Sequence, residues 1–221
     1  QAIMAQERAE TIEKIGTTTF RPPYAPIALG PLAGRDIGLS YKHTRRTAMH
    51  NWHSQNGAVF VEAGQWLRPQ YYLKETENLS KANMDAAIGR EVQAVRNAVG
   101  LVDVSTLGKI DIQGNDSAEF LNRIYTNGWK KLPIGKARYG IMLREDGLVF
   151  DDGTTSRLDE HHYFMTTTTS NAAAVLSHME YYLQVHWPDL DVRVTSVTEQ
   201  WAAMALAGPK SRKILSKLIP T

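Results

Sequence analysis

Three segments meet without a gap in the middle of the chain: Tyr139-Gly140-Ile141-Met142-Leu143-Arg144, Glu145-Asp146-Gly147 and Leu148-Val149-Phe150. This run constrains the fold more than any other part of the sequence. Two apolar β-forming stretches joined by a three-residue turn pair as an antiparallel hairpin, because a parallel pair needs a crossover of a dozen residues or more. Gly147 can take the positive φ that such a turn requires. Whatever else the chain builds must accommodate an antiparallel sheet.

The flanking segments extend that sheet. Lys109-Ile110-Asp111-Ile112-Gln113 alternates with the period of a strand and is broken by Gly114-Asn115. Tyr163-Phe164-Met165 followed by four threonines, Thr166 to Thr169, is rich in β-formers. Two further strands are expected over Val192 to Val197 and Ala202 to Leu206. Helices are expected between them. Asn83-Met84-Asp85 leads one in which Met84, Ile88, Val92, Val95 and Val99 form a stripe directed at a core, with Gly100 at its end. Asp116-Ser117-Ala118-Glu119 has the spacing of a capping box ahead of Phe120, Leu121, Ile124 and Tyr125. Ser170 can cap a third helix that gathers Ala174, Val175, Leu176, Met179, Tyr182 and Leu183 on one side. Strands that succeed one another through tight turns, with helices inserted, indicate an α+β fold built on mainly antiparallel sheets.

The N-terminal region reads differently. Residues 1–15 can form a short amphipathic helix ending at Gly16, and Arg21-Pro22-Pro23-Tyr24-Ala25-Pro26 to Gly34 is dense in proline. Residues 1–43 are therefore expected to be a helix and a proline-rich arm or linker, and residues 44–221 the domain proper. A tether is favoured over a docking peptide for the arm. The chain opens on Gln1 and closes on Ile219-Pro220-Thr221 just after a basic helical start, which reads as a piece of a longer protein.

Composition removes several function classes. With no cysteine in 221 residues, a disulfide scaffold, an iron–sulfur cluster and a thiol nucleophile are all excluded. At 43% hydrophobic and 22% charged the chain is an ordinary globular one, and charged residues or histidines interrupt every apolar stretch before it reaches a membrane-spanning length. The net charge is +2 and no segment is polybasic, so nucleic acid is not an expected partner. No secretory pattern opens the chain, and a cytoplasmic setting is expected.

Among chemistry-bearing residues, Asp151-Asp152 stands out, because aspartate is depleted in strands and costly to bury without partners. Adjacent carboxylates in a strand point to opposite faces. From spacing alone, a functional carboxylate and a structural bulge or edge helped by Gly153 are equally good explanations. His50-x-x-His53 and His161-His162 lack the further ligands a metal site needs, and surface or hydrogen-bonding histidines are the better reading. No dinucleotide fingerprint, P-loop or nucleophile elbow is present.

The order of motifs resembles the N-terminal part of the folate-dependent aminomethyltransferase family, whose best known member is the glycine cleavage T-protein. The resemblance is carried by Thr47 to His53, Glu91 to Ser105, Phe120-Leu121-Asn122-Arg123-Ile124-Tyr125-Thr126-Asn127, Gly135 to Tyr139, Arg144 to Asp152 and Ala207-Gly208-Pro209. Within the family, Ser105-Thr106-Leu107-Gly108-Lys109, Asp151-Asp152-Gly153, Trp187 to Val192 and Thr195 to Trp201 are similar to the C-terminal region of the sarcosine oxidase alpha subunit.

That resemblance implies a fold incomplete at the C-terminus and a tetrahydrofolate site. The implied activity traps the one-carbon unit released by sarcosine oxidation as 5,10-methylenetetrahydrofolate and leaves glycine. Asp152 takes the place of the family's catalytic carboxylate, which leaves Asp151 a structural role. Leu107 stands where the family has a pocket-lining methionine, Tyr139 matches a pocket tyrosine, and Asn171 matches an asparagine near the pocket. For Leu107 and Tyr139 simple core packing is the alternative. FAD, FMN and NAD would bind elsewhere in the parent complex. The implied partners are the other subunits of a heterotetramer and a small-molecule amine. Two alternatives accompany this reading: a stand-alone T-protein-like aminomethyltransferase, and a folate-binding scaffold without turnover.

Overall fold

The computed structural model describes residues 6–11 and 44–219. The chain divides into two units, 1–43 and 44–221, each taken by itself. In the first, residues 6–8 form a helical turn, with Ala9 N donating to Gln6 O at 3.3 Å. Residues 9–11 are not helical, Ala9 turning out with φ +54°, so the expected helix is not continuous over 1–15; its other residues, and the proline-rich arm, lie outside the described residues.

The second unit is α+β, as its alternating patterns predict. Its elements are β1 (Arg45–Arg46), α1 (His50–Gln55), β2 (Ala58–Ala63), β3 (Trp66–Tyr72), α2 (Lys81–Asn97), β4 (Gly100–Asp103), β5 (Gly108–Gln113), α3 (Ser117–Ile124), β6 (Ala137–Leu143), β7 (Val149–Asp159), β8 (His162–Thr167), α4 (Ala172–Tyr181), β9 (Arg193–Ser196), β10 (Met204–Ala207) and α5 (Ser211–Leu215). The main sheet has five strands in the order β6-β7-β8-β5-β9, every pair antiparallel. A three-stranded sheet, β1-β3-β2, and a two-stranded one, β10-β4, complete the unit. The expected hairpin is β6-β7, and Gly147 at its turn has φ +80°.

The core lies on one face of the five-stranded sheet. Alternation sends Ile110 and Ile112 of β5, and Tyr163 and Met165 of β8, to that face, where all four are at most 1% exposed. Helices α3 and α4 cover it with Phe120, Leu121, Val175 and Met179, and Met142 and Trp129 fill the β6 end. Gly140 is required here, since a Cβ at this position would sit 2.7 Å from the Trp129 ring and 2.9 Å from that of Tyr125.

Local expectations differ from the structure at several points. Asp116 does not cap α3; its carboxylate accepts Asp191 N at 2.9 Å, and Glu119 pairs with Arg123 at 2.7 Å and with Lys130. A contact 75 residues away in sequence outcompetes the local box. Ser170 is not the cap of α4, because a 3-10 turn over Thr169–Asn171 precedes that helix. Helix α2 begins earlier than expected, where Ser80 accepts Asn83 N at 3.2 Å. Its apolar stripe is half open, with only Ala87 buried while Ile88 and Val92 are 37% and 52% exposed. The helix packs against β3, and Glu91 accepts the backbone N–H of Tyr72 at 2.8 Å, so a polar residue adjacent to Val92 takes a position facing that strand. Gly100 starts β4 and does not close the helix in a left-handed conformation. Among the described residues, no helix is long and apolar enough to cross a membrane.

Phe120 is fully buried between α3 and the sheet, edge-on to Trp187 at 6.1 Å. Phe120→Ala removes that ring and leaves a cavity, for an expected loss of about 3–5 kcal/mol of unfolding free energy. Urea denaturation reads this as a lower midpoint with the slope unchanged, and an unmoved midpoint would remove Phe120 from the core.

Candidate functional site

Strand β7 has a neighbour on each side, so the two aspartates it carries are sorted by the pleat. Asp151 pairs with Met142 and Asp152 with Ile141, while Leu143 pairs with Val149. Phe150 is therefore an extra residue, a bulge immediately before the carboxylates. Asp151 falls on the core side and is 6% exposed. Its Oδ2 accepts Thr168 N at 3.2 Å and its Oδ1 accepts Asn171 Nδ2 at 3.4 Å. This carboxylate is occupied in holding the end of β8 to β7.

Asp152 opens on the opposite face and is half-buried. The Tyr139 hydroxyl, from the neighbouring strand, donates to its Oδ2. The same face carries Ile141 of β6, Thr154 of β7, and Phe164 and Thr166 of β8, as the pairings of Ile141 with Asp152 and Ser156 with Phe164 require. The Thr154 and Thr166 hydroxyls bond each other at 3.0 Å, and the Trp201 ring meets Phe164 edge-on at 5.8 Å. Tyr139 is 57% and Ile141 40% exposed, so this is an open sheet surface with an aromatic and a carboxylate toward its β6 edge. Close strand packing depends on Gly153, where a Cβ would lie 2.1 Å from Thr166 O.

The four residues singled out from the sequence are thus placed unequally. Asp152 and Tyr139 touch. Leu107 lies in the turn before β5, and its neighbour Gly108 pairs with Thr167 at the same end of β8 that Asp151 binds. By strand spacing this puts Leu107 about 10 Å from Asp152 across the sheet end. Asn171 does not reach Asp152. Its amide donates to Phe150 O at 2.8 Å and to Asp151, steadying the bulge from behind.

A buried polar network adjoins the Leu107 turn. His53 Nε2 meets Asp103 Oδ2 at 2.9 Å, and Tyr72 Oη meets His53 Nδ1 at 2.7 Å. Asp103 Oδ1 also accepts Ser105 N at 2.9 Å, the local bond that makes Asp-x-Ser a turn former. Burial alone would raise the Asp103 pKa, but the hydrogen-bonding groups of Ser105, Thr47 and His53 outweigh it and hold the carboxyl below its ordinary range. Lys109 follows, 1% exposed, with Nζ donating to Ser105 O at 2.8 Å and Leu107 O at 3.0 Å. A cavity of about 410 Å³ opens beside this network, walled by Arg45, Trp66, Ser105, Thr198 and Trp201. Arg45 stacks on Trp66 at 4.0 Å and pairs with Glu199, so its charge is already satisfied.

Chemically, the open face carries two carboxylates on its strands: Asp111 of β5, opposite Phe164 and already held by His162 Nε2 at 2.6 Å and Gln113 Nε2 at 2.7 Å, and Asp152, which has a phenol beside it. Such a carboxylate can accept N–H groups of a planar heterocycle or take a proton from one, while aromatic and aliphatic neighbours provide a wall. Among the described residues no three His, Cys, Asp or Glu side chains converge as a metal site. Sequence reasoning did not find the His53-Asp103-Tyr72 and Lys109 network. The His50-x-x-His53 spacing was its one visible trace, since His53 and Asp103 are 50 residues apart.

Comparison with known proteins adds a family. The GCVT N-terminal domain family matches residues 49–221. Sarcosine oxidase subunit alpha of Rhizobium meliloti is 51% identical over 217 residues, covering 98% of this chain and 22% of that protein. The protein of the same name from Corynebacterium sp. strain U-96 is 53% identical over 209 residues, covering 95% and 21%. An aminomethyltransferase of Thermotoga neapolitana is 32% identical over 176 residues, covering 79% and 44%. The chain therefore spans about a fifth of the sarcosine oxidase subunits and under half of that aminomethyltransferase. In structure it is similar to glycine cleavage system aminomethyltransferase T from Bartonella henselae, with a TM-score of 0.68 over 80% of this chain and 44% of that one. At 23% identity this likeness speaks for the fold.

The buried Asp103 carries a pH signature. Its pKa is depressed below 3.8 in the folded state, so the stability it contributes is present above about pH 4 and is lost as the pH falls through its folded value. Asp103→Asn turns one of two acceptor oxygens into an NH2 donor and leaves either His53 or the Ser105 N–H without its partner, which is expected to cost about 1–3 kcal/mol and to flatten the acid limb of thermal stability against pH. An acid limb of unchanged steepness in the variant would contradict this assignment.

Proposed function

The chain belongs to the GCVT N-terminal domain family through residues 49–221, and on that premise we propose that residues 44–221 form the tetrahydrofolate-binding, one-carbon-transferring region of a sarcosine oxidase alpha subunit. The observation that carries this reading is the division of labour on β7: Asp151 is consumed by Thr168 and Asn171, while Asp152 stands on an open face where, among the described residues, the Tyr139 hydroxyl donates to it. The face fits a reduced pterin. A pterin is flat, edged with N–H donors and apolar on its faces, and it meets a carboxylate acceptor, an aromatic ring and an aliphatic neighbour here. When bound, tetrahydrofolate supplies a nucleophilic amine that takes up a one-carbon unit, giving 5,10-methylenetetrahydrofolate.

The residues of this chain have distinct parts in that step. Asp152 accepts a pterin N–H, orients the ring and takes the proton that the amine releases. Tyr139 donates to the Asp152 carboxylate and keeps it from turning toward the sheet, and its ring forms one wall. Leu107 forms the apolar wall at the far side of β8. Asn171 contributes indirectly, by fixing Phe150 and Asp151 so that the bulge presents Asp152 outward.

The wider setting follows the sarcosine oxidase subunits, to which this chain is similar at 51–53% identity. In this reading oxidation of sarcosine or a related methylated amine occurs at flavins outside these residues, with FAD, FMN and NAD held elsewhere in a cytoplasmic heterotetramer. The one-carbon unit is passed to folate and glycine is left.

Asp152→Asn in the full-length protein keeps the size of the side chain and removes the base. Its expected effect is a fall of about a hundredfold or more in 5,10-methylenetetrahydrofolate formed, by analogy with the loss of a general base, while amine oxidation continues and formaldehyde accumulates in its place. Methylene-folate yield and oxygen consumption measured together check this. Parallel loss of both activities would argue against a separate folate site at Asp152.

A further inference from the structure

Lys109 is a fully buried cation that the folate reading leaves unused. It sits on β5 with 1% of its surface exposed, and its backbone N–H is held by the Thr198 hydroxyl at 3.0 Å. Burial opposes its charge, Asp103 favours it and Arg45 opposes it. Packing alone does not call for an ammonium here, because methionine fills the same volume without desolvating a charge. The polar contacts explain the choice. One Nζ donates to two carbonyls of a single turn, the buried Ser105 O and the part-buried Leu107 O, a cross-link that methionine could not make.

The turn is clamped from both sides. Its entry is fixed by Asp103, which His53 and the Ser105 N–H hold. Its closure is the Leu107 N bond to Val104 O at 3.1 Å. Leu107 is then tied at its N–H by Val104 and at its carbonyl by Lys109, so both of its backbone hydrogen-bonding groups are occupied before any ligand arrives.

We propose that Lys109 is a positioning residue for the folate site, acting through the Leu107 carbonyl to hold the Leu107 side chain at the sheet end beside the Asp152 face. The proposal rests on the reading of that face as a tetrahydrofolate site. Without the ammonium the turn loses the bond that fixes its last residue, and Leu107 samples orientations in which the wall is absent. A ligand site supported by locked neighbours loses affinity when the support is removed, even though no contact with the ligand is deleted.

The test is a double-mutant cycle in the full-length protein, with Lys109→Met, Leu107→Ala and the pair, read by calorimetric titration with tetrahydrofolate and by KM and kcat for methylene-folate formation. Lys109→Met is expected to raise the dissociation constant and KM by about tenfold with kcat at saturating folate held within about twofold. Because it acts through Leu107, it adds less than about twofold in the Leu107→Ala background. A purely structural lysine would reduce the folded fraction and the melting temperature without moving the dissociation constant of the folded molecules. A Lys109→Met dissociation constant within about twofold of wild type, or single effects that multiply in the pair, overturns the proposal. Should Lys109→Met fail to fold, Lys109→Gln, whose shorter side chain keeps a neutral donor but cannot span both carbonyls, replaces it in the cycle with the same expectation, and a dissociation constant within about twofold of wild type there overturns the proposal. Wild-type protein that gives no heat with tetrahydrofolate would overturn the folate reading itself, and that result appears before any variant is made.

Discussion

Everything about the candidate site depends on the pleat of β7. Two carboxylates in succession cannot share a face of a strand, and β7 is flanked on both sides, so one of them is forced toward the core and must be satisfied there. Asp151 is satisfied by a backbone amide and an asparagine, and those bonds fasten the bulge at Phe150. The cost of burying one carboxylate is thereby turned into rigidity for the other. Asp152 is presented by an element that cannot twist away without breaking β6, β8 and the Asn171 contacts together.

The rest of the unit is arranged around that strand as a rigid and a receptive side. The core face carries Ile110, Ile112, Tyr163 and Met165 against two helices, while the opposite face leaves Tyr139, Ile141 and Asp152 accessible. At the sheet end, the Leu107 turn is braced by a chain of buried polar groups running from Tyr72 through His53 and Asp103 to Ser105, with Lys109 closing it from the strand. That end of the receptive face is therefore held by polar groups that satisfy one another internally. A site of this kind is pre-formed in its walls and open to a ligand in its middle.

Local pattern made much of this legible. The hairpin over residues 139–150 and the alternation of Ile110 with Ile112 follow from period and turn chemistry, and adjacent aspartates in a strand had to separate. Which of the two was free did not follow, because that depended on Thr168 and Asn171, some twenty residues away. Contacts of long sequence separation defeated local rules elsewhere as well. Asp116 left its capping box for Asp191, α2 left Ile88 and Val92 exposed while Glu91 bonded Tyr72, and His53 found Asp103 across 50 residues. Parallel pairing of β1 with β3 carries no periodic signal at all. In each case the deciding partner was distant in sequence, where propensity and spacing carry no information.

The proposal that the Asp152 face receives tetrahydrofolate is the central claim of this account. A structure of the full-length protein determined after soaking with tetrahydrofolate tests this most directly. The account predicts density for the pterin ring within hydrogen-bond reach of the Asp152 carboxylate and beside the Tyr139 ring. Pterin density bound elsewhere with the Asp152 face empty at saturating folate would contradict it.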